Sequence, residues 1–569
     1  MKETLKRYLP YMKDYKFQYF LIFIGIIMIV ASTAATAHIM KYVTDDLLIN
    51  QNKDMLIYVP VGLIVIYTVK ATGSYIQSVF MKYIGFHIVT RLRNELLEKI
   101  ISLDMQFLFT NRSGELISRL TNDLGRVQYF VSRMLPDLIR EGLSVISLIG
   151  YVIWLNPMLS FYSLVLMPLT IYPLMLIAKR LKRLSHRSQE KNADVTIRLT
   201  EVFNNNEIIK ANATESYEME RFSEQNWKFF KINMKSVYTN ALISPLMEII
   251  GAAGLAAVIY MGAKEVIDAK TITAGEFTSF LTAVGLVFQP LRRVSAIYGR
   301  IQDAIAASER VYHIFDLDSK IEDGKEKLED DIESIEFKNV GLLYESAYAL
   351  KNINLDIKSS QNIALVGDSG GGKSSLLNMI LRFYDADEGE VCVNGKEIKS
   401  YTQNSLRSHI SMVSQRVYIF QDTLAANVAY GQEVDEQRVN EALELADAKE
   451  FVSSLSDGIH TEMDEAGTNL SGGQRQRIAI ARAIYKHASV IMFDEATSAL
   501  DNKSEKRIQK ALDEYTKDKI TLTIAHRLST VQHADKILVF KKGEIVASGT
   551  HDELLKSSRE YQRLSGVLS

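Results

Sequence analysis

The chain has 569 residues, 47% of them hydrophobic and 24% charged, with a formal net charge of -2, and it exceeds the usual domain length of about 100–200 residues. A near-neutral balance gives no electrostatic reason for a nucleic-acid partner, and the lone cysteine, Cys392, forbids an intrachain disulfide or a cysteine-built metal site. One-domain soluble enzymes, disulfide scaffolds and zinc proteins are excluded.

Residues 17–40 carry no Lys, Arg, Asp or Glu, a stretch too long for a signal-peptide core. At ~1.5 Å per residue it reaches about 36 Å, enough to cross a hydrocarbon core of ~30 Å. Residues 56–80 hold one charge, Lys70. Residues 142–178 are uncharged but interrupted by Asn156-Pro157, which predicts two helices joined by a tight outer loop. Two further apolar stretches contain Glu248, and Glu276 with Arg292 and Arg293. Six membrane helices are expected, over about 17–40, 56–80, 134–155, 157–178, 241–262 and 272–299. An even number places both ends on one side. The presumed inner segments hold 25 Lys and Arg and the outer ones four, which puts the ends in the cytoplasm. The inner connections are charged and lack Gly/Pro punctuation, so they are expected to continue the membrane helices; two small inserted domains are the alternative.

Residues 142–155 and 277–291 are too short to span alone. Their helices must begin or end in charged sequence, drawing Arg140, Glu141 and Arg292 to the inner-leaflet side, near the depth of Lys70. Charges at that depth face a cavity or a partner. They could grip an anionic head group, or they could snorkel to the interface and pair with Glu141 and Glu248.

After the membrane part, expected to be 1–317, residues 318–332 read as a charged linker and 333–569 as a soluble α/β domain. The run Gly367-Asp368-Ser369-Gly370-Gly371-Gly372-Lys373-Ser374, followed by Ser375, matches GxxxxGK[ST] between a strand-type run and a helical one. Glycines let successive N–H groups turn toward phosphate oxygens at a helix N-terminus. Lys373 would reach the β- and γ-phosphates, and Ser374 would bind Mg²⁺. A second strand-type run, 490–493, ends in Asp494-Glu495. Parallel sheets bind ligands at that edge; Asp494 suits the Mg²⁺ shell and Glu495 the attacking water.

Leu470-Ser471-Gly472-Gly473-Gln474, with Gln476 to Ala483 (QRIAIARA) behind it, resembles the signature of ATP-binding cassette (ABC) transporters, and the resemblance covers essentially the whole chain. It implies the type IV exporter fold: an all-α membrane domain of six helices with long cytoplasmic extensions, fused to an α/β P-loop cassette that hydrolyses ATP with Mg²⁺. By the same resemblance Tyr344 stacks on adenine, Gln415 touches Mg²⁺, Asp501 belongs to the D-loop and His526 contacts the γ-phosphate. Ser471 to Gln474 would serve the ATP held by an opposite cassette, so a homodimer with two equivalent sites is implied. Residues 107–128 and 201–222 resemble coupling-helix regions. Asp464 and Ala466 depart from the family's usual Gly and Arg just before the signature.

Membrane spans fused ahead of one cassette resemble exporters. Residues 113–123 and 138–148 resemble the first inner loop and third helix of the lipid A flippases of Gram-negative inner membranes. Lys70, Arg140 and Arg292 would then contact the head group, although Gln289 stands where that group has another arginine. A multidrug or peptide exporter of broad specificity shares the same scaffold.

Overall fold

The computed structural model describes residues 7–8, 10–269, 271–344, 347–495, 502–525 and 531–568, leaving aside the side chains of 163–175, 178, 247, 269, 295–296, 298–300, 502–503 and 567–568. The chain forms two compact units, one of 1–98 with 117–316 and one of 99–116 with 317–569.

The first unit is helical. Its main helices are α1 (Lys16–Tyr42) and α2 (Met55–Ser102) and, after the short α3 (Met105–Thr110) of the other unit, α4 (Leu135–Leu155), α5 (Pro157–Asn204), α6 (Glu215–Ala241), α7 (Ile243–Lys264) and α8 (Ala274–Phe315). Residues 17–40, 56–80 and 157–178 fall inside α1, α2 and α5, whereas the expected 134–155, 241–262 and 272–299 begin one or two residues ahead of α4, α7 and α8. Among the described residues, four helical segments are long and apolar enough to cross a membrane: Pro10–Ile49, Met55–Ser102, Ser113–Leu155 and Glu215–Asp268. The stretches in α5 and α8 include residues outside that description. Both α2 and α5 run 48 residues, about 72 Å at ~1.5 Å per residue, so each continues far beyond a ~30 Å core. Phe20, Phe23, Ile64 and Ile146 stay exposed on the unit's surface, as a lipid-facing wall requires.

Local chemistry sets the helix ends. Asn156 accepts the N–H groups of Met158 and Leu159 and starts α5 with Pro157 at its first position. Thr273 and Glu276 form a capping box on α8, and Asp45 accepts from the Thr273 hydroxyl (2.5 Å) and the Gly275 N–H (2.7 Å). Deeper in the unit, a polar chain ties three helices. His38 Nδ1 lies 2.9 Å from the Tyr151 hydroxyl, which lies 2.7 Å from Ser279 Oγ, and Ser279 donates to the Ala37 carbonyl at 2.7 Å. With Ser279 fully buried, each member of the chain needs the next to be satisfied.

The second unit is α/β. An antiparallel sheet has the order β2-β1-β4-β5, from β1 (Ser334–Tyr344), β2 (Ala347–Lys358), β4 (Glu388–Val393) and β5 (Lys396–Glu397). A six-stranded sheet has the order β10-β9-β3-β8-β7-β6, from β3 (Asn362–Gly367), β6 (Ile410–Val413), β7 (Val490–Asp494), β8 (Ile520–Ile524), β9 (Lys536–Lys541) and β10 (Glu544–Gly549). All its pairings are parallel except β9 with β10. The inner strands are apolar on both faces, as in β3 (NIALVG) and β7 (VIMFD), the pattern of a sheet covered on two sides. Helix α3 belongs to this unit. Its cap Asp104 accepts from Phe107 N (2.9 Å) with one oxygen and from Lys320 N (3.0 Å) with the other, so one carboxylate joins the loop after α2 to the segment ahead of β1.

Candidate functional site

Strands β3, β8 and β7 are parallel neighbours, with Leu365 and Asp494 both in register with Ile524. Their C-terminal ends therefore open on one edge, where α/β sheets bind ligands. From β3 the chain enters the glycine loop and then α9 (Lys373–Ile380). Two glycines are required there. Gly367 has φ +150°, and a Cβ on it would meet the Phe540 carbonyl at 2.3 Å; Gly372 has φ +108°, and its Cβ would meet the Ala349 carbonyl at 2.7 Å.

A cavity of about 470 Å³ lies at this edge, walled by Tyr344, Ser369, Gly370, Gly371, Gly372, Lys373, Ser374, Ser375, Gln415, Asp494 and Glu495 among others. Residues from five stretches of sequence thus meet in one place. Lys373 is buried (7% exposed); among the described residues its Nζ donates to the Gly367 (2.8 Å) and Asp368 (3.0 Å) carbonyls. Burial lowers its pKa while Glu495, Asp368 and Asp494 pull the other way. A buried cation held by neutral carbonyls in a glycine-rich loop is built for an anion.

Glu495 has φ +52°, a left-handed conformation that costs energy for a non-glycine residue and is common at working sites. Its carboxylate accepts from Gln415 Nε2 at 2.8 Å, and its carbonyl accepts from Gln476 at 3.3 Å. Gln476 entered the sequence reading only as part of the run behind the signature, and no role at the Glu495 backbone was assigned to it there. Tyr344 packs on Tyr384, ring centroids 5.0 Å apart. The donors of Ser374, Gln415 and Asp494 are hydroxyl, amide and carboxylate groups on one cavity, a set that suits Mg²⁺.

Ser471 to Gln474 stand apart from that cavity. Ser471 Oγ accepts from Gln474 N, and Gln474 Oε1 accepts from Ser471 N, a capping box that opens α10 (Gly472–Tyr485). None of these four residues lines the cavity of their own chain. Asp501 and His526 lie outside the described residues.

In the helical unit a second cavity, about 640 Å³, is walled by parts of α2, the segment ahead of α4, α4 itself and α8, including Gln77, Lys82, Arg133, Asp137, Arg140 and Arg293. Glu141, 3% exposed, accepts from Arg140 (2.5 Å) and from Arg293 (2.8 Å). Arg140 also pairs with Asp137 (3.1 Å) and donates to Gln77. Of the three basic residues the sequence singled out, Arg140 lines this groove, whereas Lys70 and the exposed Arg292 do not. Lys70 lies within electrostatic reach of Glu141, Arg140 and Arg293. Arg293 occupies the groove instead of Arg292, because successive helical residues point about 100° apart.

Residues 19–291 match the family described as ABC transporter transmembrane region, and residues 350–498 the one described as ABC transporter. The chain belongs to the ABC transporters, with membrane region and cassette in one multi-pass membrane polypeptide that uses nucleotide and couples ATP hydrolysis to transport. The ATP-dependent lipid A-core flippase of Syntrophus aciditrophicus is 39% identical over 94% of this chain and 89% of its own length. The protein of that name from Desulfotalea psychrophila is 38% identical over 99% of each. Among solved structures, a bacterial Atm1-family ABC exporter with ATP bound has the same fold, with a TM-score of 0.81 over 97% of this chain and 98% of that one at 23% identity.

Proposed function

We propose that two copies of this chain form an ATP-driven flippase that moves a lipid A-core type glycolipid from the inner to the outer leaflet of the bacterial inner membrane. The observation that carries this reading is the groove in the helical unit, where Arg140 and Arg293 face a cavity of about 640 Å³. A phosphorylated head group would exchange its own charge-assisted hydrogen bonds for those the two guanidiniums make with Glu141. Near full-length similarity to lipid A-core flippases supports the same cargo.

In the cassette, Tyr344 would stack on adenine, and the loop from Gly367 to Ser375 would cradle the phosphates with Lys373. Ser374, Gln415 and Asp494 would hold Mg²⁺, which when bound neutralises charge between the β- and γ-phosphates. Glu495 would orient the attacking water once Gln415 releases its carboxylate. Ser471 to Gln474 are absent from their own chain's cavity, which supports completion of each site by the α10 N-terminus of a second copy. ATP would then hold the two cassettes together, and its hydrolysis would let them part. The domain limits that follow are 1–317, a linker of 318–332 and a cassette of 333–569.

Purification in mild detergent, followed by mass spectrometry of the lipids that remain bound, tests the cargo. A glycolipid with phosphorylated sugars bound in stoichiometric amount supports the flippase. Phospholipid alone, with ATPase activity stimulated equally by unrelated hydrophobic drugs, favours a broad-specificity exporter.

A further inference from the structure

The phosphate loop contains a residue that its own ligand should disfavour. Asp368 follows Gly367 directly, at a position the GxxxxGK[ST] pattern leaves unspecified, and it puts a carboxylate beside a site that must admit a polyphosphate. Its main-chain carbonyl is already used to shape the loop, accepting from Gly371 N (3.1 Å) and Lys373 Nζ (3.0 Å). The side chain points to the last helix, α11 (Arg559–Leu568), where Arg563 Nη2 donates to Asp368 Oδ2 at 2.6 Å. Arg563 also donates to Glu560 (2.6 Å), and Lys541 of β9 donates to the other Glu560 oxygen (2.8 Å). Lys541 follows Phe540, the residue whose carbonyl Gly367 packs against. Four alternating charges, Lys541, Glu560, Arg563 and Asp368, therefore run from the sheet to the loop and sum to zero.

We propose that Arg563 is a positioning residue for nucleotide binding: it neutralises Asp368 and turns that carboxylate away from the phosphate cradle. This rests on the reading of the cavity as the ATP site. Without Arg563 the chain of charges carries an excess negative charge next to the phosphates. Both side chains are more than half exposed (53% and 58%), so solvent and salt screen the effect. It falls on nucleotide affinity, because neither residue reaches the hydrolysed bond.

The test uses the full-length protein in lipid nanodiscs, comparing the parent with R563A, D368N and the double variant by ATPase kinetics and equilibrium ATP binding. For R563A the expected change is a rise of about three- to fivefold in KM and Kd for ATP with kcat within about twofold, and a smaller rise at high salt. Removing the carboxylate as well, in R563A/D368N, returns KM to the parent value, and D368N alone binds ATP at least as tightly as the parent. A double variant as impaired as R563A, or a defect independent of salt, overturns the proposal and makes Arg563 a staple for α11 only. Should R563A fail to fold, D368N still decides, because weaker ATP binding by that variant contradicts the charge argument. A parent protein that does not hydrolyse ATP refutes the cassette reading itself, a result separate from either.

Discussion

The two units treat a buried or half-buried cation in opposite ways. In the cassette, Lys373 meets the Gly367 and Asp368 carbonyls, so its charge is left for a ligand. In the helical unit, Arg140 and Arg293 share the carboxylate of Glu141, which is itself buried. The first arrangement is a preformed anion site that gains most of its partners on binding. The second is an internally balanced one, in which an anionic head group must compete with a resident carboxylate. Under the proposed function, the difference suits a cassette site that binds one small, fixed ligand and a membrane-unit groove that must release its cargo.

Breaking the cassette side should have the largest effects. Glu495→Gln is expected to lower ATP turnover by on the order of 10²–10⁴-fold, the range for a lost general base or water-orienting group. ATP should still bind and hold two chains together, as gel filtration with nucleotide would show; near-normal turnover removes the role assigned to Glu495. Lys373→Ala is expected to weaken ATP binding by about 10–100-fold, the worth of a charge-assisted hydrogen bond. Measured affinity within twofold of the parent would mean that the carbonyl-held ammonium does not meet the phosphates.

On the membrane side the effects should be smaller. Glu141→Gln leaves two guanidiniums without their shared counter-charge and should cost about 1–3 kcal/mol of stability. It is read as a lower apparent melting temperature in detergent, together with stronger stimulation of ATPase activity by anionic lipid. A variant that melts like the parent would show that Glu141 is dispensable to the pair. Last, Arg293→Ala combined with Lys70→Ala should reduce lipid-stimulated ATPase activity several-fold with little change in the basal rate, whereas Arg292→Ala should change it less. The reverse order would return the head-group contact to Arg292.

Much of this was legible in the sequence because it is local. A glycine loop between an apolar strand and a helix, the signature run Leu470–Gln474 and uncharged stretches of membrane length each depend on residues near one another in the chain. The class of fold followed from their order. The choice of Arg293 over Arg292 was not legible, since helical periodicity says which residues share a face and not which neighbour that face meets. Nor was the left-handed backbone of Glu495, which nothing in an Asp-Glu pair at a strand end demands.

What the sequence alone determined was thus the set of parts: apolar stretches of membrane length, a phosphate loop and two acids at a strand end, set by hydrophobic length and backbone chemistry over short spans, with the signature run known by its resemblance. The tertiary structure decided which charges meet. Arg563 finds Asp368 across 195 residues, Arg293 finds Glu141 across 152, and the loop after α2 joins the cassette through Asp104 and Lys320. Charge pairing acts over a few ångströms of space whatever the distance along the chain, so only the packed fold could select these partners.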